Sequence, residues 1–472
     1  MTSFKRISLE QLPKAELHVH LEGGTLRASK LIELANKHGL PKPTLIFGEN
    51  NNLKFADHDF LDFLQVYDLA ASYILTEQDI EEVTYEYLEQ CAKQGTLYVE
   101  LTCSPDHVTQ NRKTYTDVAQ SLNPEQNTDP KTAFRATLAQ SLKEKYKALP
   151  SIDYARFIAA VVRGIDRANA QYGIEARILI VLLRHNGKEH CHTTIQNMLD
   201  YPHPYVVGIN LAGNETDFPP TLFVEHYQKA KKAGYKLTAH VGEHTGAEYI
   251  KEAVDILALD RIGHGTSAFS DKTLITTLVN KKIGIEANIT SNLALTSIKD
   301  IASHPFKLFL DAGILVSLNT DDPTYFNTDI GREYEKAKNT WNLKERDLLK
   351  ITRNAIQSAF CEASLKEKLL ASIDLYETAR ETFKNVLALN DRFLYSMFMK
   401  YLLEPTQLSL DTYLRLQAQN ANTYDCKALV QKHIAYDQAC ALQDKYIQST
   451  KIQAHNDNPI ESQKANKETV PI

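Results

Sequence analysis

Apolar positions along this chain follow two alternating rhythms. Short runs rich in Val, Ile, Leu or Tyr are "AELHVHL" (15–21), "GTLYVELT" (95–102), "ARILIVLL" (176–183), "YVVGINLA" (205–212), "YKLTAHV" (235–241), "DRIGHG" (260–265), "KIGIEANI" (282–289) and "ILVSLNT" (314–320). Longer stretches of helical periodicity separate them, and strands that alternate with helices predict βα units and a parallel sheet. Eight such units predict an α/β architecture of the (β/α)8 TIM-barrel type, enlarged by insertions. An open doubly wound sheet is the competing arrangement, but no GxGxxG follows the first strand.

Two stretches exceed what a minimal barrel needs. Residues 22–94 hold several helical patterns, including "FLDFLQVYDLAASYIL", which reads as a lid over the barrel mouth or as extra core packing. Residues 104–150 contain the polar "NPEQNTDP" and then Phe134, Leu138, Leu142 and Tyr146 at i,i+4 spacing, a surface excursion ending in a helix. Beyond residue 340 the pattern is helical, and "RFLYSMFMKYLL" puts Phe393, Leu394, Met397, Phe398, Tyr401 and Leu402 on one stripe. The expected organisation is a barrel over 1–385 with insertions at 22–94 and 104–150, a helical extension at 386–450, and a polar, flexible tail at 451–472.

Composition narrows the function classes. At 472 residues, 43% hydrophobic and 24% charged, the chain can bury a full core, and its formal net charge of −6 comes without any Lys/Arg block. Electrostatic attraction to nucleic acid or an anionic membrane is therefore not expected, and a small molecule is the expected partner. The six cysteines (Cys91, Cys103, Cys191, Cys361, Cys426, Cys440) form no CxxC pair and read as reduced thiols. With no apolar leader-like segment and no span long enough to cross a bilayer, a cytoplasmic location is the expectation. Oligomeric state is not legible.

The chemistry lies at strand ends. Side chains alternate across a strand, so His18 and His20 in "ELHVHLEGG" point one way while Leu17, Val19 and Leu21 point the other. Paired neutral imidazoles suit zinc. The fifth strand ends in "TAHVGEH" with His240 and Glu243, the sixth in "RIGHGT" with His264, and the eighth in "SLNTDDP" with Asp321 and Asp322. In a barrel these ends meet at one face. Each residue alone has a bland reading: a core histidine, a cap, a turn before Pro323. Four strand ends that all carry ligand or acid–base groups favour a shared site. The "EHCH" at 189–192 has no complementary cluster and reads as an exposed loop.

Taken in order, "PKAELHVHLEG", "VELTCSP", "VVGINLAGNE", "TAHVGE", "RIGHG", "TSN" and "SLNTDDP" resemble the adenosine deaminase family of the amidohydrolase superfamily, over about residues 10–370. The resemblance implies one Zn2+ per chain held by His18, His20, His240 and Asp321. It implies Glu243 as the acid that protonates purine N1, His264 as the group that orients or deprotonates the attacking water, Asp322 on N7, and the Gly213 backbone N–H on N3. His20 and Glu22 would face the substrate, and Phe63, Leu64 and Tyr67 would belong to an apolar gate. The implied reaction is hydrolytic deamination of adenosine and 2′-deoxyadenosine to the 6-oxopurine and ammonia, within purine salvage.

Several residues depart from the family pattern. Glu22 stands where many adenosine deaminases have Asp and where adenine deaminases have Glu, so adenine or a modified adenosine is the alternative substrate. "RIGHG", "SLNTDDP" and Glu286 pull toward the nucleoside. Asn210, Asn214, Asn288 and Ile289 also differ from family residues without being expected ligands. The absence of clustered Arg or Lys argues against AMP. A catalytically retired purine-binding protein is the remote reading, since no catalytic group is missing.

Overall fold

The computed structural model describes residues 12–43, 47, 60–109 and 130–388. All eight expected strands are present: β1 (Lys14–His20), β2 (Thr96–Cys103), β3 (Glu175–Leu183), β4 (Val206–Ala212), β5 (Lys236–Leu237), β6 (His240–Val241), β7 (Arg261–His264), β8 (Gly284–Ala287) and β9 (Val316–Leu318). The expected fifth strand is interrupted at Thr238–Ala239, which divides it into β5 and β6. The break has a local reason: Thr238 N–H bonds Ile209 O across to β4, while Ala239 O accepts from Gly263 N on the β7 side.

Pairing is parallel throughout, in the orders β1-β2-β3-β4-β5 and β6-β7-β8-β9. The first strand also meets the segment after the last, because His20 N donates to Asp321 O (2.9 Å) and Asp321 N to His18 O (3.1 Å). The architecture is thus the (β/α)8 barrel expected from the strand count. Every residue of β1 is buried, apolar and polar alike, as befits strands covered on one face by helices and filled on the other by side chains.

The stretch 22–94 contributes three helices: α1 (Ala28–His38), α2 (Phe60–Ala71) and α3 (Glu77–Lys93). A capping box starts α3: Thr76 Oγ1 accepts from Asp79 N, and Asp79 Oδ2 accepts from Thr76 N. Asp79 also accepts from Leu75 N and pairs with Lys37 and His38 at the end of α1, so one buried carboxylate ties two helices together.

In the 104–150 stretch a helix spans Pro130–Ala148 with Leu138 and Leu142 buried, while "NPEQNTDP" lies largely outside the described residues. The "EHCH" motif is not an exposed loop. It forms the first turn of a helix, Lys188–Asp200, with His190 and Cys191 buried and His190 Nε2 2.8 Å from Asp106 Oδ2. The loop reading failed because the apolar face completing this helix, Ile195 and Met198, begins only after the motif. Cys91, Cys103, Cys191 and Cys361 are free thiols.

By packing, the chain divides into two units, Met1–Leu369 and Leu370–Ile472. A last described helix, Ala363–Ala388, runs across that division. The stripe at 393–402, the tail, Cys426 and Cys440 lie outside the described residues. Among the described residues no helix is long and apolar enough to cross a membrane.

Candidate active site

Strand geometry brings the expected residues to one end of the barrel. His18 and His20 leave β1 on its inner side, and Leu17 N donates to Asn319 Oδ1 (2.8 Å), fixing the register of β1 beside the segment after β9. His264 and Asp321 adopt left-handed backbone, φ 59° and 63°, a conformation that strains a non-glycine residue and persists only where its surroundings enforce it. For Asp321 the enforcement is the pair of backbone bonds to β1.

Four atoms converge. His240 Nε2 lies 3.0 Å from His18 Nε2 and 3.1 Å from His20 Nε2. Asp321 Oδ1 lies 3.1 Å from His18 Nε2 and 3.3 Å from His20 Nε2. Tetrahedral bonds of ~2.0–2.1 Å imply ligand-to-ligand edges of about 3.3–3.4 Å, so this set fits a small divalent cation with N/O preference. Asp321 Oδ1 is buried and receives no well-aligned hydrogen bond, which leaves an acceptor for a cation.

The outer contacts aim these atoms. His18 Nδ1 bonds Glu286 Oε2 (2.7 Å) and His240 Nδ1 bonds Asn210 Oδ1 (3.1 Å), so each ring's Nδ1–H is held outward and its Nε2 faces inward. Ser291 Oγ donates to Asp321 Oδ2 (2.6 Å), turning Oδ1 toward the histidines. Glu286 also accepts from Thr238 Oγ1 (2.9 Å) and Arg261 Nε (2.6 Å), and Arg261 reaches on to Glu100 Oε2 (2.5 Å). Burial alone would raise the Glu286 pKa, but the Arg261 and His18 charges hold it at about 2. Burial likewise opposes charge on His18, yet Asp321 and Glu286 lift its pKa to about 10, giving it a proton that a divalent cation would displace.

A looser grouping places His264 with His18, His240 and Asp321, all within 4.8 Å. His264 stands beside the tight set: its Nε2 is 3.8 Å from Asp321 Oδ2, and its Nδ1 contacts Asn292 Nδ2 at 2.9 Å. Burial lowers the His264 pKa to about 3, so the ring is neutral.

Glu243 follows β6 and is buried, with Oε1 free of hydrogen bonds. Burial, then the nearby Asp321 and Glu215 carboxylates, push its pKa well above the ordinary value, in the direction that favours the protonated acid. Its loop is cradled by Glu215, which accepts from the backbone N–H groups of Gly242 (2.9 Å), Thr245 (3.0 Å) and His244. Asp322 Oδ1 has no partner either, and burial beside Asp321 raises that carboxyl in the same direction. Gly213 has φ 99°, and a Cβ there would collide with His185 Nδ1. Only glycine serves at that position.

His20, His240, Asp321, Asp322, Glu243, His264 and Gly213 line one cavity together with Phe63, Leu64 and Tyr67 of α2. Phe63 stacks on Phe326 and meets Tyr325 edge-on, while Tyr67 stacks on Tyr325. The cavity measures about 50 Å³, room for a few waters. His18 lies deeper and is fully buried. Glu22 is not part of the lining: its Oε1 accepts from Ser104 N (3.0 Å), its Oε2 has no partner, and burial raises its pKa to about 7.

Sequence reasoning assigned no role to Asp68, Ser104, His107 and His185, which also line the cavity, or to Glu100, Glu215 and Arg261 behind it. A signal existed for Glu100 and Glu286, since each is a carboxylate inside an otherwise apolar strand.

Comparison with known proteins agrees with this geometry. The family model described as adenosine deaminase matches residues 13–376. An adenine deaminase of Sinorhizobium medicae is 32% identical over 364 residues, 77% of this chain and 99% of the relative. An adenosine deaminase of Shewanella denitrificans is 28% identical over 366 residues, 77% and 98% of the two chains. Among solved structures, an amidohydrolase from Burkholderia ambifaria with bound Zn superposes with a TM-score of 0.63 at 22% identity, covering 85% of this chain and 97% of its own. Motif order, barrel and matched span lead to one conclusion: the chain belongs to the adenosine deaminase family.

Proposed function

We propose that this protein is a zinc-dependent hydrolase that replaces the 6-amino group of a purine by oxygen and releases ammonia, and that it acts on the free base adenine. The carrying observation is the convergence of His18, His20, His240 and Asp321 within 3.0–3.3 Å, with the buried Glu243 lining the same cavity. These four residues would hold the ion. When bound, zinc supplies Lewis acidity that makes a hydroxide equivalent available near neutral pH.

The chain's own groups do the rest. Attack at C6 disrupts the aromatic ring unless N1 gains a proton, and Glu243 is the neutral acid placed to give it. Asp322, whose carboxyl burial pushes in the same direction, donates to N7 in its protonated form, while Gly213 N–H reaches N3 because no side chain intervenes. Glu22 stands where adenine deaminases carry Glu, and its buried Oε1 accepts from the N–H of Ser104, a residue of the cavity wall, so it acts on the pocket through Ser104. The identity with adenine deaminases supports this choice over adenosine. Among the described residues no Lys or Arg lines the cavity and Asp68 does, which disfavours a phosphorylated substrate.

Adenosine, together with 2′-deoxyadenosine or a modified adenosine, is the second reading. It is supported by Ser104, His107 and His185 in the cavity wall, which could meet sugar hydroxyls, and by the Shewanella relative.

Steady-state kinetics of zinc-replete protein on adenine and adenosine decide between the two readings. A kcat/KM at least about tenfold higher for adenine is expected, a gap worth about 1.4 kcal/mol in transition-state binding. The reverse preference would establish the second reading, and no turnover of any 6-aminopurine would sink both.

A further inference from the structure

The deaminase reading leaves open which nitrogen of His264 carries its proton. A chain of hydrogen bonds behind the cavity answers this. His304, on the segment before the Phe306–Ala312 helix, is buried, and its Nδ1 accepts from Phe306 N (3.1 Å). That ring's proton therefore sits on Nε2, which lies 3.2 Å from Asn292 Oδ1 and donates to it. The Asn292 amide is thereby fixed with its NH2 group turned the other way, 2.9 Å from His264 Nδ1. Since Asn292 is fully buried, this orientation is not exchanged against water.

We infer that Asn292, oriented by His304, is a positioning residue that locks His264 as its Nε2–H tautomer and so presents an N–H donor, not a lone pair, toward Asp321 Oδ2 and the cavity. The Asn288 Nδ2 also lies within hydrogen-bond reach of both ring nitrogens, at 3.3 Å from each, and the shorter 2.9 Å contact of Asn292 weights the balance toward an accepting Nδ1. Glu243 Oε1, 3.5 Å from His264 Nδ1, is too distant to displace Asn292. Resting on the deaminase reading, the consequence is that His264 enters the reaction by holding the attacking water and stabilising the charge that develops on its oxygen, and does not begin as a proton acceptor.

The test is 15N spectroscopy of histidine-labelled, zinc-loaded protein, with Asn292→Asp and His304→Gln beside the wild type. Wild-type His264 is expected to show protonated Nε2 and unprotonated Nδ1. Asn292→Asp, which replaces the donor by an acceptor, is expected to move the proton to Nδ1 and to lower kcat about 10²-fold with KM within about threefold and zinc content unchanged. Gln at 304 can still donate to Asn292 Oδ1 and is expected to keep the wild-type tautomer. A wild-type His264 with protonated Nδ1, or an Asn292→Asp spectrum unchanged from wild type, overturns the inference. The wild-type spectrum suffices should a variant not fold, and because it needs no substrate, its outcome is independent of the deaminase assay.

Discussion

At the residue scale, two carboxyl groups in one cavity take opposite roles because their neighbours differ. Asp321 faces His18, His20 and His264, and although burial works against charge, these rings hold it well below the ordinary carboxylate value. Glu243 faces other carboxylates and is pushed well above. Under the proposed function, this separation would fit one group to ligation and the other to proton donation. Replacing Glu243 by Gln keeps size but removes the transferable proton; kcat is expected to fall about 10²–10⁴-fold while zinc per chain, read by elemental analysis, stays the same. Glu286→Gln tests the shell behind the metal. With the carboxylate gone, His18 loses its charged partner, and chelator competition is expected to show zinc affinity weakened about 10–100-fold. An unchanged affinity would mean that Asp321 alone orients His18.

At the element scale, strands and helices contribute differently. The strands deliver side chains, and their alternation makes His18 and His20 legible as a pair in the sequence alone. Contacts between elements were not legible, because nothing local in "VELT" or "GIEA" says that Glu100 and Glu286 share the Arg261 guanidinium across 161 and 25 residues of sequence. The interruption of the fifth strand was hidden for the same reason. Helix α2 seals the cavity through Phe63, so Phe63→Ala is expected to raise KM at least about tenfold and to destabilise the fold by about 3–5 kcal/mol, both measurable on one preparation. Asp79 tests the join of α1 and α3. Burial raises its pKa, but His38, Lys37 and backbone N–H groups together hold it below the ordinary value. A depressed pKa contributes stability above the unfolded value of about 3.9 that is lost as pH falls through the folded one. Asp79→Asn is accordingly expected to cost about 1–3 kcal/mol in urea unfolding at pH 7, with the gap to wild type narrowing below pH 4.

At the scale of the whole molecule, a ring of parallel strands brings residues from positions 18 to 322 to a single mouth, and this explains why motifs far apart in sequence could be read as one candidate site. Periodicity supplied the strands, and barrel geometry then forced their C-terminal ends together. Substrate choice was less legible. The cavity wall that would meet the substrate is built from Asp68, Ser104, His107 and His185, residues drawn from α2 and from segments after β2 and β3 whose convergence no single motif announces. The central claim is that one ion held by His18, His20, His240 and Asp321 enables loss of the 6-amino group. The most direct measurement follows ammonia release from adenine and adenosine by protein stripped with a chelator and then titrated with zinc. The account predicts no release from the stripped protein and recovery complete at one zinc per chain. Undiminished release without metal, or none at full zinc occupancy, would contradict it.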